Sequence, residues 1–283
     1  MRKAPKTNQT PAYAELAVTT NFSFLRGASH PEDYVAEAAR LKLTGIGIAD
    51  RNTLAGVVRA HVALKETDAA DSALKLAIGC RLVFTDDTPD LLAYPKDRAA
   101  YGRLSRLLSL GKRRAEKGEC LLTLDDLLSS CEELCLILMP PEKIGDETKN
   151  ALNRIISQAP NHLWLGATPL YQGRDKTRLQ ILATLAKRYN IPLIALNDTL
   201  YHHPERRRVQ DVFTCIREHK TIETIGKKLE AHAERHLKSA KEMVYLFRDY
   251  PEAIAETTRF LTRLKFSLDD LRYEYPDEPV PQG

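Results

Sequence analysis

No window of this sequence approaches the roughly 18 uninterrupted apolar residues of a membrane-spanning helix. The opening residues, MRKAPKTNQTPAYAE, also lack the apolar stretch of a secretory signal, so a soluble cytoplasmic protein without membrane partners is expected. Charge of one sign is scarce too: 42 Lys and Arg against 38 Asp and Glu leave a net +4, too little to argue nucleic-acid binding by itself. With 13 Gly and 15 Pro in 283 residues, and 43% hydrophobic residues, collagen-like and disordered classes are excluded. Cysteine is sparse and odd in number. Cys80, Cys120, Cys131, Cys135 and Cys215 sit partly inside apolar runs such as LAIGC and LCLILM, which predicts reduced, buried thiols. There is no Walker-type glycine loop, no G-x-S-x-G elbow and no HExxH.

What is present is a rhythm of short apolar runs and longer amphipathic ones. Strands are expected at Tyr13–Val18, Gly45–Ala49, Leu76–Phe84, Leu91–Ala93, Leu134–Leu138, Leu163–Ala167 and Pro192–Leu196. Between them the spacing predicts helices, the first capped by Ser29 with Glu32 three residues on, and with Tyr34, Val35, Ala38 and Leu41 on one face. The alternation implies six or seven parallel strands in a sheet buried on both faces, which is why GIGIA and LCLILM do not alternate with polar residues. From Pro204 onward helices take over. The expected organisation is a flexible start (1–10), a barrel (11–205), a helical segment (206–270) and a linker (271–283) in which the chain looks truncated.

In parallel α/β folds function gathers where strands end. Those ends carry Thr19-Thr20-Asn21, Asp50-Arg51-Asn52, Cys80-Arg81 and Asn197-Asp198-Thr199. Asp50 and Asp198 read either as metal ligands or acid/base groups, or, preferred here, as caps of the following helix or turn. The eight histidines do not converge; His202-His203 reads as a helix entry, and Cys131 and Cys135 lack the second pair a zinc site needs. The basic runs Lys112–Arg114 and Arg206–Arg208 have acids close by and read as solvated faces. On chemistry alone the residues offer a scaffold.

Four segments in order, AELAVTTNFSFLRGAS, GIGIADRNTLAGVVRAH, LAIGCRLVF and IPLIALNDTLYHHPERRRVQDVFTCIRE, resemble the polymerase and histidinol phosphatase (PHP) domain at the N-terminus of bacterial C-family DNA polymerases. The wording of DRAAYGRLSRLLSLGKRRAEKGEC and FSLDDLRYEYPDEPVP is most similar to the error-prone branch active in damage-induced mutagenesis. The resemblance implies an α/β fold, a distorted (β/α)7 PHP-type barrel followed by a helical segment leading to a polymerase palm. It further implies a parent DNA-directed DNA polymerase acting in translesion synthesis with magnesium in its palm. Implied partners are its own palm and thumb, primer-template DNA, a sliding clamp and accessory mutagenesis proteins.

Active PHP domains hold metal ions in a ring of His, Asp, Glu and Cys. Matched position by position, that ring falls on Ala17, Thr19, Arg26, Arg51, Arg81 and Leu200, with a family cysteine near Met139 or Pro140 and a family histidine near Asp90; Asp50 and Asp198 match acids. Alanine and leucine bind no hard cation and arginine repels one. The resemblance therefore implies a domain that has lost its metal site, holds no cofactor of its own, is catalytically inactive, and serves a structural role. Arg26, Arg51 and Arg81 are expected to neutralise Asp50 and Asp198. The alternatives are an active metal-dependent phosphoesterase or 3′–5′ exonuclease of this fold, and a nucleic-acid-binding module.

Overall fold

The structure, a computed structural model, describes residues 12–66 and 72–271; the expected flexible start and all but the first residue of the expected linker lie outside the described residues. Seven strands form one sheet in sequence order: β1 (Ala14–Val18), β2 (Gly45–Arg51), β3 (Lys75–Leu82), β4 (Leu91–Pro95), β5 (Leu134–Leu138), β6 (Leu163–Ala167) and β7 (Leu193–Ala195). Helices α1 (Pro31–Arg40), α2 (Ala55–Glu66), α3 (Arg98–Arg113), α4 (Leu124–Leu128), α5 (Asp146–Gln158) and α6 (Asp175–Tyr189) intervene, and α7 (Arg207–Arg217), α8 (Ala240–Leu246) and α9 (Pro251–Arg263) follow. The sheet curls until Val18, at the end of β1, meets Thr199, just beyond β7.

The strands are not all parallel. β4 runs antiparallel to both β3 and β5, while the remaining pairs are parallel. The cause is chain length: residues 83–90 are too few for a crossover, which takes about a dozen residues or more. This reversal has a functional result, because it brings Asp90, at the start of β4, to the ends where β2 and β3 finish. The first helix also differs from expectation. It begins at Pro31, the His30 amide donates to Asp33 at 3.0 Å, and the Ser29 hydroxyl is instead engaged with His202 at 2.8 Å.

Strand β2 alternates large and small residues rather than apolar and polar. In GIGIA, Ile46 and Ile48 pack outward under the helices, while Ala49, with Ala14, Leu16 and Ala77, faces the interior cluster of Tyr94, Trp164 and Phe260. Gly47 and Gly79 are small for a reason: a Cβ on Gly79 would lie 2.3 Å from the Tyr94 ring and one on Gly47 2.5 Å from its hydroxyl. The space they leave admits Tyr94, whose hydroxyl donates to the Leu16 carbonyl across the barrel.

Helix α9 closes the end at which the parallel strands begin. Its Phe260 ring stands edge-on to Trp164 at 4.7 Å and to Tyr94 at 5.5 Å. The Trp164 indole donates to Glu256 at 2.9 Å, and Arg259 holds the other Glu256 oxygen at 2.6 Å. Among the described residues no helix is long and apolar enough to cross a membrane.

Candidate functional site: the arginine-filled barrel mouth

At the opposite end the strand termini converge on a charged cluster. Register aligns Arg51 with Arg81 on β2 and β3, so both guanidiniums reach the mouth together. Arg81 is paired with Asp198 and lies 3.7 Å from Asp90, while Arg51 reaches the same Asp90 at 3.2 Å. The second Asp198 oxygen is taken by Arg235 at 2.5 Å, whose Nε also donates to the Asp198 carbonyl at 2.8 Å and whose Nη1 meets Glu230 at 2.9 Å. Asp198 sits at φ 51°, a left-handed conformation that Asp tolerates better than most residues.

Electrostatics follow from this geometry. Burial by itself would raise the Asp198 pKa, but Arg235 and Arg81 outweigh it and hold the carboxyl below the usual aspartate value. Burial likewise opposes the Arg81 charge, and Asp198 and Asp90 more than offset it, so its pKa is raised. The Arg81 and Asp198 side chains are only 10% and 16% exposed, so solvent screens them little.

Asp50 stands apart from the arginines. Its carboxylate accepts from the Thr20 amide at 2.8 Å, the Thr20 hydroxyl at 2.7 Å and the Ser23 hydroxyl at 2.6 Å. Burial nonetheless raises its pKa against these donors. The expected pairing therefore needs correction: Arg81 lies on Asp198, but Arg51 goes to Asp90, and Arg26 makes no ion pair among the described residues. Hydroxyls from the β1–α1 loop occupy Asp50 before any guanidinium can. Nor does either acid cap a helix; Asp50 fastens the preceding loop and Asp198 sits inside an ion-pair cluster.

The remaining ring positions are main-chain fixtures of the seam between β1 and β7. Thr19 donates its amide to the Thr199 carbonyl at 3.0 Å, Ala17 accepts from the Thr199 amide at 2.9 Å, and Leu200 accepts from the Ala28 amide at 2.7 Å. Glu15 completes this seam. Its buried carboxylate accepts from the Ala17 amide at 2.9 Å, the Asn197 amide at 2.8 Å and the Tyr13 hydroxyl at 2.7 Å, doing for the gap what a ladder does between paired strands. Burial pushes its pKa up to about 7 in spite of these donors.

Sequence reasoning passed over Glu15, Asp90 as an acceptor, and Arg235. A lone carboxylate in the apolar run AELAV was the available signal for Glu15. Arg235 gave none, since it lies 37 positions from its partner. The Arg206–Arg208 run is also more than a solvated face: Arg206 donates to the Ala28 carbonyl at 3.0 Å and Arg207 to the Glu230 carbonyl at 2.7 Å. The five cysteines are free thiols, and Cys131 donates to the Leu128 carbonyl at 3.4 Å instead of joining Cys135.

The donors present do not fit a divalent cation at this mouth. Both Asp198 oxygens face guanidiniums, Asp50 already accepts three hydrogen bonds, and among the described residues no three His, Cys, Asp or Glu side chains are placed to hold a metal.

The chain is 58% identical over 276 residues to the error-prone DNA polymerase of Rhodopseudomonas palustris strain BisB5, covering 97% of this chain and 25% of that protein. It is 52% identical over 272 residues to the error-prone DNA polymerase of Brucella abortus, covering 96% of this chain and 25% of the relative. The chain thus spans about a quarter of the length of these curated relatives. A solved structure of a suspected metal-dependent phosphoesterase from Bifidobacterium adolescentis aligns at TM-score 0.49 and 15% identity, covering 67% of this chain and 88% of that one. The profile of the PHP domain matches residues 15–160, which runs from the seam carboxylate Glu15 through both arginine-bearing strands, and on that match the chain belongs to the PHP domain family.

Proposed function

We propose that this chain is the PHP-domain portion of an error-prone DNA polymerase and that its barrel mouth is a structural ion-pair cluster in place of a metal centre. The observation that carries the reading is Asp198, held by Arg81 on one oxygen and Arg235 on the other. A cation entering there would have to displace two guanidiniums and then face Arg51. In the longer protein, deoxynucleotide addition opposite a template, including past lesions, belongs to a magnesium-bearing palm, and this domain supports that palm and the thumb. The sliding clamp, accessory mutagenesis proteins and primer-template DNA are partners of the whole polymerase, and the cytoplasm is its compartment.

An exposed apolar strip supports the docking role. Val212 and Ile216 on α7, with Ile222 beyond it, are each more than half exposed and line one groove with Cys215. Titrating the chain with manganese and zinc by calorimetry, alongside a chromogenic phosphodiester assay, tests the reading. No stoichiometric binding and no turnover are expected; stoichiometric metal with turnover overturns it.

A further inference from the structure

Beside the ion-pair cluster, and outside it, lies a cleft of about 610 Å³ walled by the β1–α1 loop, the end of β2 and the loop that follows α3. Four cations line it: Arg26, Arg51, Lys112 and Lys117. Arg51 is partly neutralised by Asp90, and Glu116 and Glu119 also reach the lining, but Arg26 has no ion pair or side-chain hydrogen bond among the described residues. Its surroundings are cationic. Half-burial, and then Arg51 and Arg217, lower its pKa to about 10, with Asp90 and Glu218 acting in the other direction. A half-buried guanidinium facing other guanidiniums without an anion of its own is a site short of negative charge.

An aromatic stands at the rim. Phe24 is 81% exposed, and Phe22 lines the cleft beside it. This exposure does not come from a slack loop. Thr20 and Ser23 are tied to Asp50, Arg217 donates to the Leu25 carbonyl at 2.8 Å, and Arg206 donates to the Ala28 carbonyl at 3.0 Å. Gly27 packs so closely that a Cβ there would lie 2.1 Å from the Thr20 carbonyl oxygen, and Leu25 holds a left-handed φ of 56°. These ties fix the loop that puts Phe24 at the rim and Arg26 in the lining of the cleft.

Unpaired cations spaced along a groove, with a fixed ring available for stacking, match single-stranded nucleic acid, whose phosphates and bases need both. From this juxtaposition we infer that the cleft binds the backbone of a single-stranded nucleic acid without metal, with Arg26, Lys112 and Lys117 on phosphates and Phe24 under a base. The inference goes beyond the structural role proposed above, and it uses groups that the Asp198 pairs do not.

Fluorescence anisotropy of the whole chain with a labelled single-stranded oligodeoxynucleotide tests it, with the matching duplex as comparator. The single strand is expected to bind more tightly than the duplex, with affinity falling as salt rises. Arg26→Ala and Lys117→Ala should each lower the slope of log affinity against log salt by about 0.7. Phe24→Ala should weaken binding by at least about five-fold while leaving that slope unchanged. Arg154→Ala, which removes a cation paired with Asp125 outside the cleft, should change little. Salt-independent binding, equal losses in Arg154→Ala and Arg26→Ala, or no effect of Phe24→Ala would each overturn the inference. Because Arg26 and Phe24 are unpaired, matching melting curves for variant and parent separate lost binding from lost folding. The metal titration reads Asp198 instead, so either reading can fail without the other.

Discussion

The two ends of the barrel are closed by opposite chemistry. The floor is sealed by α9, whose Phe260 meets Trp164 and Tyr94 in edge-to-face contacts, with one buried hydrogen bond from Trp164 to Glu256. The mouth is closed by Arg51, Arg81 and Arg235 on Asp90 and Asp198. Apolar closure gains from every atom it removes from water. Ionic closure must first overcome desolvation, so it holds the mouth in one arrangement more than it stabilises the fold. The same barrel is therefore sealed by ring packing at the floor and held by paired charges at the mouth.

The largest effect is expected at the floor. Phe260→Ala removes a fully buried ring and should cost about 3–5 kcal/mol, measured by chemical denaturation. Trp164 is the sole tryptophan and lies against that ring, so its fluorescence should report the loss locally. A loss well below that range would mean that α9 is an accessory and not the seal.

Next comes the mouth. Arg81→Met leaves Asp198 to Arg235 and Asp90 to Arg51, so it should cost about 1.5–3 kcal/mol, the range of a charged hydrogen bond. The double change Arg81→Met with Asp198→Leu should cost less than the sum of the two single changes, because the Arg81–Asp198 pair they share is lost only once. A double variant as unstable as the sum of its singles would show that the two residues act independently and would dissolve the contrast with the floor.

How far all this was legible in the sequence depends on range. GIGIA and LAIGC announced two buried strands through local pattern, and the resemblance to the PHP ring put both Arg81 and Asp198 in it. The reversal of β4 was hidden, since LLAYP carries no mark of direction; only the shortness of residues 83–90 betrays it. Arg235 was invisible because a pairing across 37 positions leaves no periodic trace. Asp50 misled for a physical reason: an Asp after an apolar run looks the same whether it caps the next helix or fastens the previous loop, as it does through Thr20 and Ser23.

The smallest effect concerns the seam and shows itself in pH more than in magnitude. Glu15 titrates at about 7 in the folded chain against an ordinary 4.5. Between those values the folded chain keeps a proton that the unfolded chain has released. The stability this provides is complete below 4.5 and is lost as pH rises through about 7. Glu15→Gln should flatten that decline, read as the denaturation midpoint across the same interval. An unchanged slope would place the titration elsewhere, Asp50 being the other buried acid at this end whose pKa burial raises.

The position of α9 also sets a timetable. A chain emerging from the ribosome presents β1 first, yet the Phe260 that seals the floor arrives almost 250 residues after Ala14. Until then Trp164 and Tyr94 lack their lid, and Ala14 lacks the Thr257 hydroxyl that its amide meets at 3.2 Å. The first strand of this barrel is therefore completed by a helix whose Thr257 lies 243 positions downstream, so the nascent barrel stays open to misassembly until α9 has been made.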